Sequence, residues 1–133
     1  MIFGIGVDLV EVQRMERILK SPRATRFLRR IFSSAEVATC EATAHPAQAY
    51  SARFAAKEAM AKALGTGFSR GVTPGGILVR GGERERPSIA LEGTVRTLAQ
   101  EMNVTGIHLS LSHTDGRACA FVVLEKGDEE ELR

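Results

Sequence analysis

The chain has no tryptophan, a single tyrosine, and only two cysteines, Cys40 and Cys119, in 133 residues. With no CxxC and no Cys/His spacing suited to zinc, a disulfide scaffold and a structural zinc site are both excluded. Reduced thiols in a cytoplasmic protein are the expectation. Six phenylalanines and one tyrosine are few for a base-stacking platform, which counts against nucleic-acid recognition. No apolar run approaches the roughly 18 residues that crossing a bilayer demands. The opening Met1-Ile2-Phe3-Gly4-Ile5-Gly6-Val7-Asp8 has no basic leader, and an acid interrupts its apolar run, so no signal peptide is expected. Internal repeats and low-complexity linkers are missing too, which leaves one domain over residues 1–133.

What remains is an ordinary globular composition, 44% hydrophobic and 26% charged, large enough to bury a core without staples. The net charge of +2 conceals an asymmetry. Arg14, Arg17, Lys20, Arg23, Arg26, Arg29 and Arg30 crowd residues 14–30 with only Glu16 opposing them, whereas Asp128-Glu129-Glu130-Glu131 makes an acidic tail. The basic stretch could meet an anionic partner. An RNA is the rival occupant, weakened by the isoelectric point near 8.8 and by the scarcity of aromatics.

Periodicity gives an α+β fold with a mainly antiparallel sheet, one long helix and several short ones. Residues 2–10 read as a strand with two glycines for close backbone approach. Helical spacing follows over about 11–19 and 24–31. Ser33-Ser34-Ala35-Glu36 has the form of a capping box opening a helix over about 34–43. His45-Pro46 breaks that run and opens the long helix, about 47–64, closed by Gly65-Thr66-Gly67. A glycine-rich loop runs on to Gly76; because it follows a helix, it is poorly placed to cradle a phosphate. Ile77–Arg80 and Ser88–Leu91 read as a hairpin, and Glu92–Met102 as a helix. Residues 107–113 and 118–124 read as strands joined at Asp115-Gly116, the second apolar on both faces and so expected to be covered on both.

The long helix carries the most unusual pattern. At 100° per residue, Tyr50, Phe54, Ala61 and Leu64 share one arc, and Ala52, Ala55, Ala56, Ala59 and Ala63 occupy the opposite one. Arg53, Lys57, Glu58 and Lys62 lie within or beside the large-residue arc. The helix is therefore expected to pack on its alanine face and to aim its charges into a partly enclosed space. There they need a pairing group, a metal or a ligand. The alternative is a Glu58–Lys62 pair at i, i+4 on an exposed surface, with Asp8 merely capping the helix that follows it. If Asp8 and Glu58 do meet, two carboxylates repel unless a proton or cation joins them. Hard oxygen ligands of this kind suit Mg²⁺ with phosphate oxygens in its remaining positions, and Lys62, one turn on, could steady the phosphate charge. Phosphoryl chemistry fits that set, either a transfer or an Mg²⁺-dependent hydrolysis. His113 sits at a strand end beside a turn, where a lone histidine is more often a structural hydrogen-bonder than a catalyst.

Four segments in order resemble a known family. Gly4-Ile5-Gly6-Val7-Asp8-Leu9-Val10-Glu11 resembles the opening motif of the holo-acyl-carrier-protein synthases, the small bacterial 4′-phosphopantetheinyl transferases. Phe32-Ser33-Ser34-Ala35-Glu36 is similar to their second signature, and Arg53-Phe54-Ala55-Ala56-Lys57-Glu58-Ala59 with Lys62-Ala63-Leu64-Gly65-Thr66-Gly67 to the central one. Leu111-Ser112-His113-Thr114-Asp115-Gly116, followed by Ala118-Cys119-Ala120-Phe121-Val122-Val123, is similar to the C-terminal hairpin. Two departures touch no ligand position: Glu85-Arg86-Pro87 stands where the family often has Gly-Lys-Pro, and Cys119 replaces a usual alanine. The resemblance implies transfer of the phosphopantetheine arm of coenzyme A to a serine of apo-acyl carrier protein, releasing 3′,5′-ADP in support of fatty acid biosynthesis. It implies Mg²⁺ on Asp8 and Glu58, with Glu58 and Lys62 catalytic. Arg53, Lys57, Gly65, His113 and Thr114 would line the coenzyme pocket, and Arg14, Arg17, Arg23 and Arg26 would dock the acidic carrier. A cytoplasmic homotrimer with sites between protomers, binding neither nucleic acid nor membrane, completes the expectation.

Overall fold

A computed structural model describes residues 1–82 and 84–127; the acidic tail at 128–131 lies outside them. Strand β1 (Ile2–Glu11) leads into helices α1 (Val12–Leu19), α2 (Ala24–Ile31), α3 (Ser34–Glu41) and the long α4 (Pro46–Ala63). A 3₁₀ turn at Pro74–Gly76 precedes β2 (Ile77–Arg80), β3 (Ser88–Leu91), α5 (Gly93–Glu101), β4 (Val104–Thr114) and β5 (Arg117–Lys126). The α+β architecture is as the periodicity predicts. The main sheet has order β1-β5-β4 and is antiparallel throughout, with β2-β3 as a separate hairpin. Among the described residues no helix is long and apolar enough to cross a membrane.

Helix α4 lies across β1 and β5 on its alanine face, and Ala55, Ala56, Ala59 and Ala63 are all buried. Glycine makes that approach feasible. A Cβ on Gly6 would collide with the carbonyl oxygen of Ala59, and one on Gly4 with that of Ala63. The other side of α4 is covered by the short helices, where Tyr50 packs with Met15, Ile31, Phe32 and Cys40. The helix is thus enclosed over most of its circumference, and its four charges are confined to two flanks.

The outer face of the main sheet is not covered as expected. Val7 pairs with Phe121 and Leu9 with Cys119 across β1 and β5. Ile5, Val7, Leu9 and Phe121 are 56, 49, 60 and 45% exposed. The apolar outward residues of β5 therefore face away from α4 without a layer over them in a single chain. Period-2 alternation alone reports that a face is apolar, not which chain covers it.

Candidate active site

Asp8 alternates with Gly4 and Gly6, so its side chain rises on the side of β1 that faces α4. It is not a helix cap: β1 continues through it to Glu11, the N-cap of α1, which makes no side-chain cap bond. Its carboxylate is met instead by Lys62, whose Nζ donates to Asp8 Oδ1 at 2.8 Å and to the Val7 carbonyl at 3.2 Å. Asp8 is 11% exposed and Lys62 53%, so the pair lies where the interior meets solvent. Glu58, one turn before Lys62 and half-buried, completes the group. Burial pushes its carboxyl above the usual glutamate value, Asp8's negative charge pushes it further, and Lys62 and Arg14 pull it back. Lys62 itself is raised, first by its hydrogen bond to Asp8. Lys62 pairs with Asp8 rather than with Glu58, and the charges of both act on Glu58.

The donor set was tested against a divalent cation. No group of three or more His, Cys, Asp or Glu gathers among the described residues, so a cage of protein ligands is ruled out there. Two hard carboxylates with open solvent beyond them fit Mg²⁺, which dehydrates reluctantly and keeps positions for water and phosphate oxygens. Gly65 follows the C-terminal end of α4 with φ +81°, its N–H donating to the Lys62 carbonyl at 2.9 Å, and a Cβ there would meet nothing.

Arg53 and Lys57 go elsewhere. Lys57 is fully buried and its Nζ donates to Glu36 Oε1 (2.9 Å), to the Pro74 carbonyl (2.9 Å) and to the Ile77 carbonyl (2.5 Å). An ammonium has three N–H groups, and all three are spent. The expectation that Lys57 lines a coenzyme pocket is corrected: it is an internal tether. Arg53 turns to the same flank, buried, with Nη2 donating to the Gly81 carbonyl at 2.6 Å, and it is not brought to the carboxylates. Residue reasoning saw Glu36 only as half of a capping box. That box forms, with Ser33 Oγ accepting from Glu36 N and Glu36 Oε1 accepting from Ser33 N. Glu36 Oε2 also accepts from Val79 N at 3.0 Å, tying α3, α4 and β2 together. The available signal was a lysine on a helix too buried to leave it unpaired.

His113 and Thr114 are exposed at the end of β4. Because β5 separates β4 from β1, two interstrand spacings, about 10 Å, lie between them and Asp8's strand. Arg14 and Arg17 are exposed on α1, the former close enough for its charge to act on Glu58; Arg23 caps α2 and Arg26 lies exposed on it.

A family model described as the 4′-phosphopantetheinyl transferase superfamily matches residues 4–122. The chain belongs to that superfamily. Within it, the chain falls with the holo-[acyl-carrier-protein] synthases and is an enzyme of that transferase class. It is 49% identical over 127 residues to the holo-[acyl-carrier-protein] synthase of Anaeromyxobacter dehalogenans, covering 94% of this chain and 97% of that one. The crystal structure of the Neisseria meningitidis holo-[acyl-carrier-protein] synthase superposes with a TM-score of 0.86 at 32% identity, covering 95% of this chain and all of that one. The Bacillus anthracis synthase, solved in complex with CoA (3′,5′-ADP), gives 0.76 at 33% identity over 96% of this chain and 99% of that one.

Proposed function

We propose that this transferase moves the 4′-phosphopantetheine arm of coenzyme A to a serine of apo-acyl carrier protein, using Mg²⁺ held by Asp8 and Glu58. The carrying observation is that Lys62 of α4 bonds Asp8 of β1 and that both charges act on Glu58, one turn before Lys62. The bound cation would supply charge neutralisation for the diphosphate of the coenzyme. The serine oxygen forms a bond to the phosphorus that carries the pantetheine, and the bond from that phosphorus to 3′,5′-ADP breaks. Glu58 takes the serine proton directly or through one water. Lys62 offsets charge on the leaving phosphate as a point cation.

The exposed arginines of α1 and α2 supply the docking face. Arg14, Arg17, Arg23 and Arg26 would meet an acidic carrier protein, with Arg14 nearest the reacting groups. The uncovered apolar face of β1 and β5 supports assembly, since contiguous exposed apolar surface marks an interface. A homotrimer would let His113 and Thr114, exposed at the end of β4, attend the carboxylates of another protomer. In the cell this activity belongs in the cytoplasm, in service of fatty acid biosynthesis.

Incubation with apo-carrier protein, coenzyme A and Mg²⁺, read by intact mass of the carrier, is the direct test. The expected result is one added phosphopantetheine, abolished by a chelator and restored by Mg²⁺. An unchanged carrier mass overturns the proposal. Consumption of coenzyme A without carrier would point to hydrolysis instead.

A further inference from the structure

The geometry points to Lys62 as an exchangeable counter-ion of Asp8, which makes binding of the divalent cation and binding of the coenzyme diphosphate depend on each other. This inference rests on the transferase reading above. Asp8 is nearly buried, and one of its two carboxylate oxygens, Oδ1, accepts from the Lys62 ammonium at 2.8 Å. A cation approaching Asp8 therefore competes with Lys62 for the charge of that carboxylate. Lys62 can yield, because it is half-exposed, stands on the last turn of α4 and has a flexible stem with open space beyond Gly65.

Charge counting gives the consequence. Asp8 and Glu58 carry two negative charges, and Lys62 and Arg14, the two bases acting on Glu58, carry two positive ones. These four charges balance as they stand. A divalent ion alone would leave the group with two surplus positive charges, and Lys62 would lose its partner. A diphosphate alone would bring a similar negative surplus beside the two carboxylates. Both together restore balance, with Lys62 passing from Asp8 to a phosphate oxygen. Because thermodynamic coupling is reciprocal, each ligand must tighten the other by the same factor.

The test titrates Mg²⁺ calorimetrically into wild type and K62M, each with and without coenzyme A and with no carrier present. For wild type, coenzyme A should tighten Mg²⁺ binding by about tenfold or more. Without coenzyme, K62M should bind Mg²⁺ about five- to tenfold tighter than wild type, and the coenzyme effect should shrink. In wild type, acetylation of Lys62 followed by peptide mass spectrometry should accelerate on adding Mg²⁺ and slow again when coenzyme A joins it. Equal Mg²⁺ affinity of K62M and wild type, or Lys62 labelling indifferent to Mg²⁺, overturns the exchange while leaving the transferase reading standing. No Mg²⁺ binding by wild type even with coenzyme A would take down the metal assignment and this inference together.

Discussion

A lysine with no exposed surface is stable only where every N–H has an acceptor and its charge has a counter-charge, and Lys57 meets both conditions through Glu36 and two carbonyls. Burial is the larger influence and pulls its proton affinity down, while Glu36 opposes that. Removing one partner should therefore cost more than removing both. Lys57→Met leaves a buried anion unpaired and should cost about 3–5 kcal/mol. The Lys57→Met, Glu36→Gln double variant should recover a substantial part of it, as read from urea unfolding midpoints in a double-mutant cycle. Additive losses would show that the two side chains are not coupled. Cys40, in the same cluster, makes a pH prediction. Burial pushes its thiol up to about 11 from 9.0. A group with a raised folded value adds stability that is complete below pH 9 and is lost as the pH climbs towards 11. Tyr50, raised by burial and by its hydrogen bond to Glu41, adds to the same alkaline decline. Thermal melts between pH 8 and 11 should fall for wild type and fall less steeply for Cys40→Ala.

At the scale of elements, the contact of β1 with α4 decides whether a site exists at all. Gly6→Ala would drive a methyl into the Ala59 carbonyl, backbone against backbone, with no flexible side chain to give way. The helix must lift, and Asp8 must part from Lys62 and Glu58. We expect loss of transfer together with loss of several kcal/mol of stability. Gly65→Ala meets open space and should cost only about 1 kcal/mol for its left-handed backbone. Chemical melts of the two variants separate collision from strain. This contact also explains what was legible beforehand. Two glycines spaced by two in a strand, and alanines along one arc of a helix, are local patterns that announce close packing. A step of 100° per residue sends neighbouring Lys57 and Glu58 to different flanks. That angle is readable in a sequence, but the neighbour waiting on each flank is not. Glu36 lies 21 residues before Lys57 and Asp8 lies 50 before Glu58, so partner choice is set by tertiary contact. The ends of β4 and β5 are likewise illegible in the sequence, because Thr105 sits at a register shift between Val104 and Gly106 and the polar Thr114 and Arg117 pair in the ladder without showing alternation.

For the whole molecule, the decisive question is whether one chain holds a complete site. Asp8 and Glu58 sit beside β1, whereas His113 and Thr114 sit on β4 with β5 between them. In the proposed homotrimer, the apolar outer face of β1 and β5 would be the contact that brings a second copy's β4 end to the first copy's carboxylates. Breaking that face with Val7→Glu should give a monomer by light scattering and strip most transfer activity, with Asp8 and Glu58 untouched. A complementation experiment is sharper. Glu58→Gln alone should abolish transfer, and His113→Ala alone should reduce it about tenfold if His113 hydrogen-bonds the coenzyme as proposed. In a cyclic trimer, each site would draw Glu58 from one protomer and His113 from the next. Random mixing of the two variants in equal amounts then gives about one site in four with both residues intact. Denaturing and refolding the two variants together should therefore restore about a quarter of wild-type turnover. If His113 served the carboxylates of its own chain, no mixed site could hold both residues, and co-refolding would restore nothing beyond the average of the two separate variants.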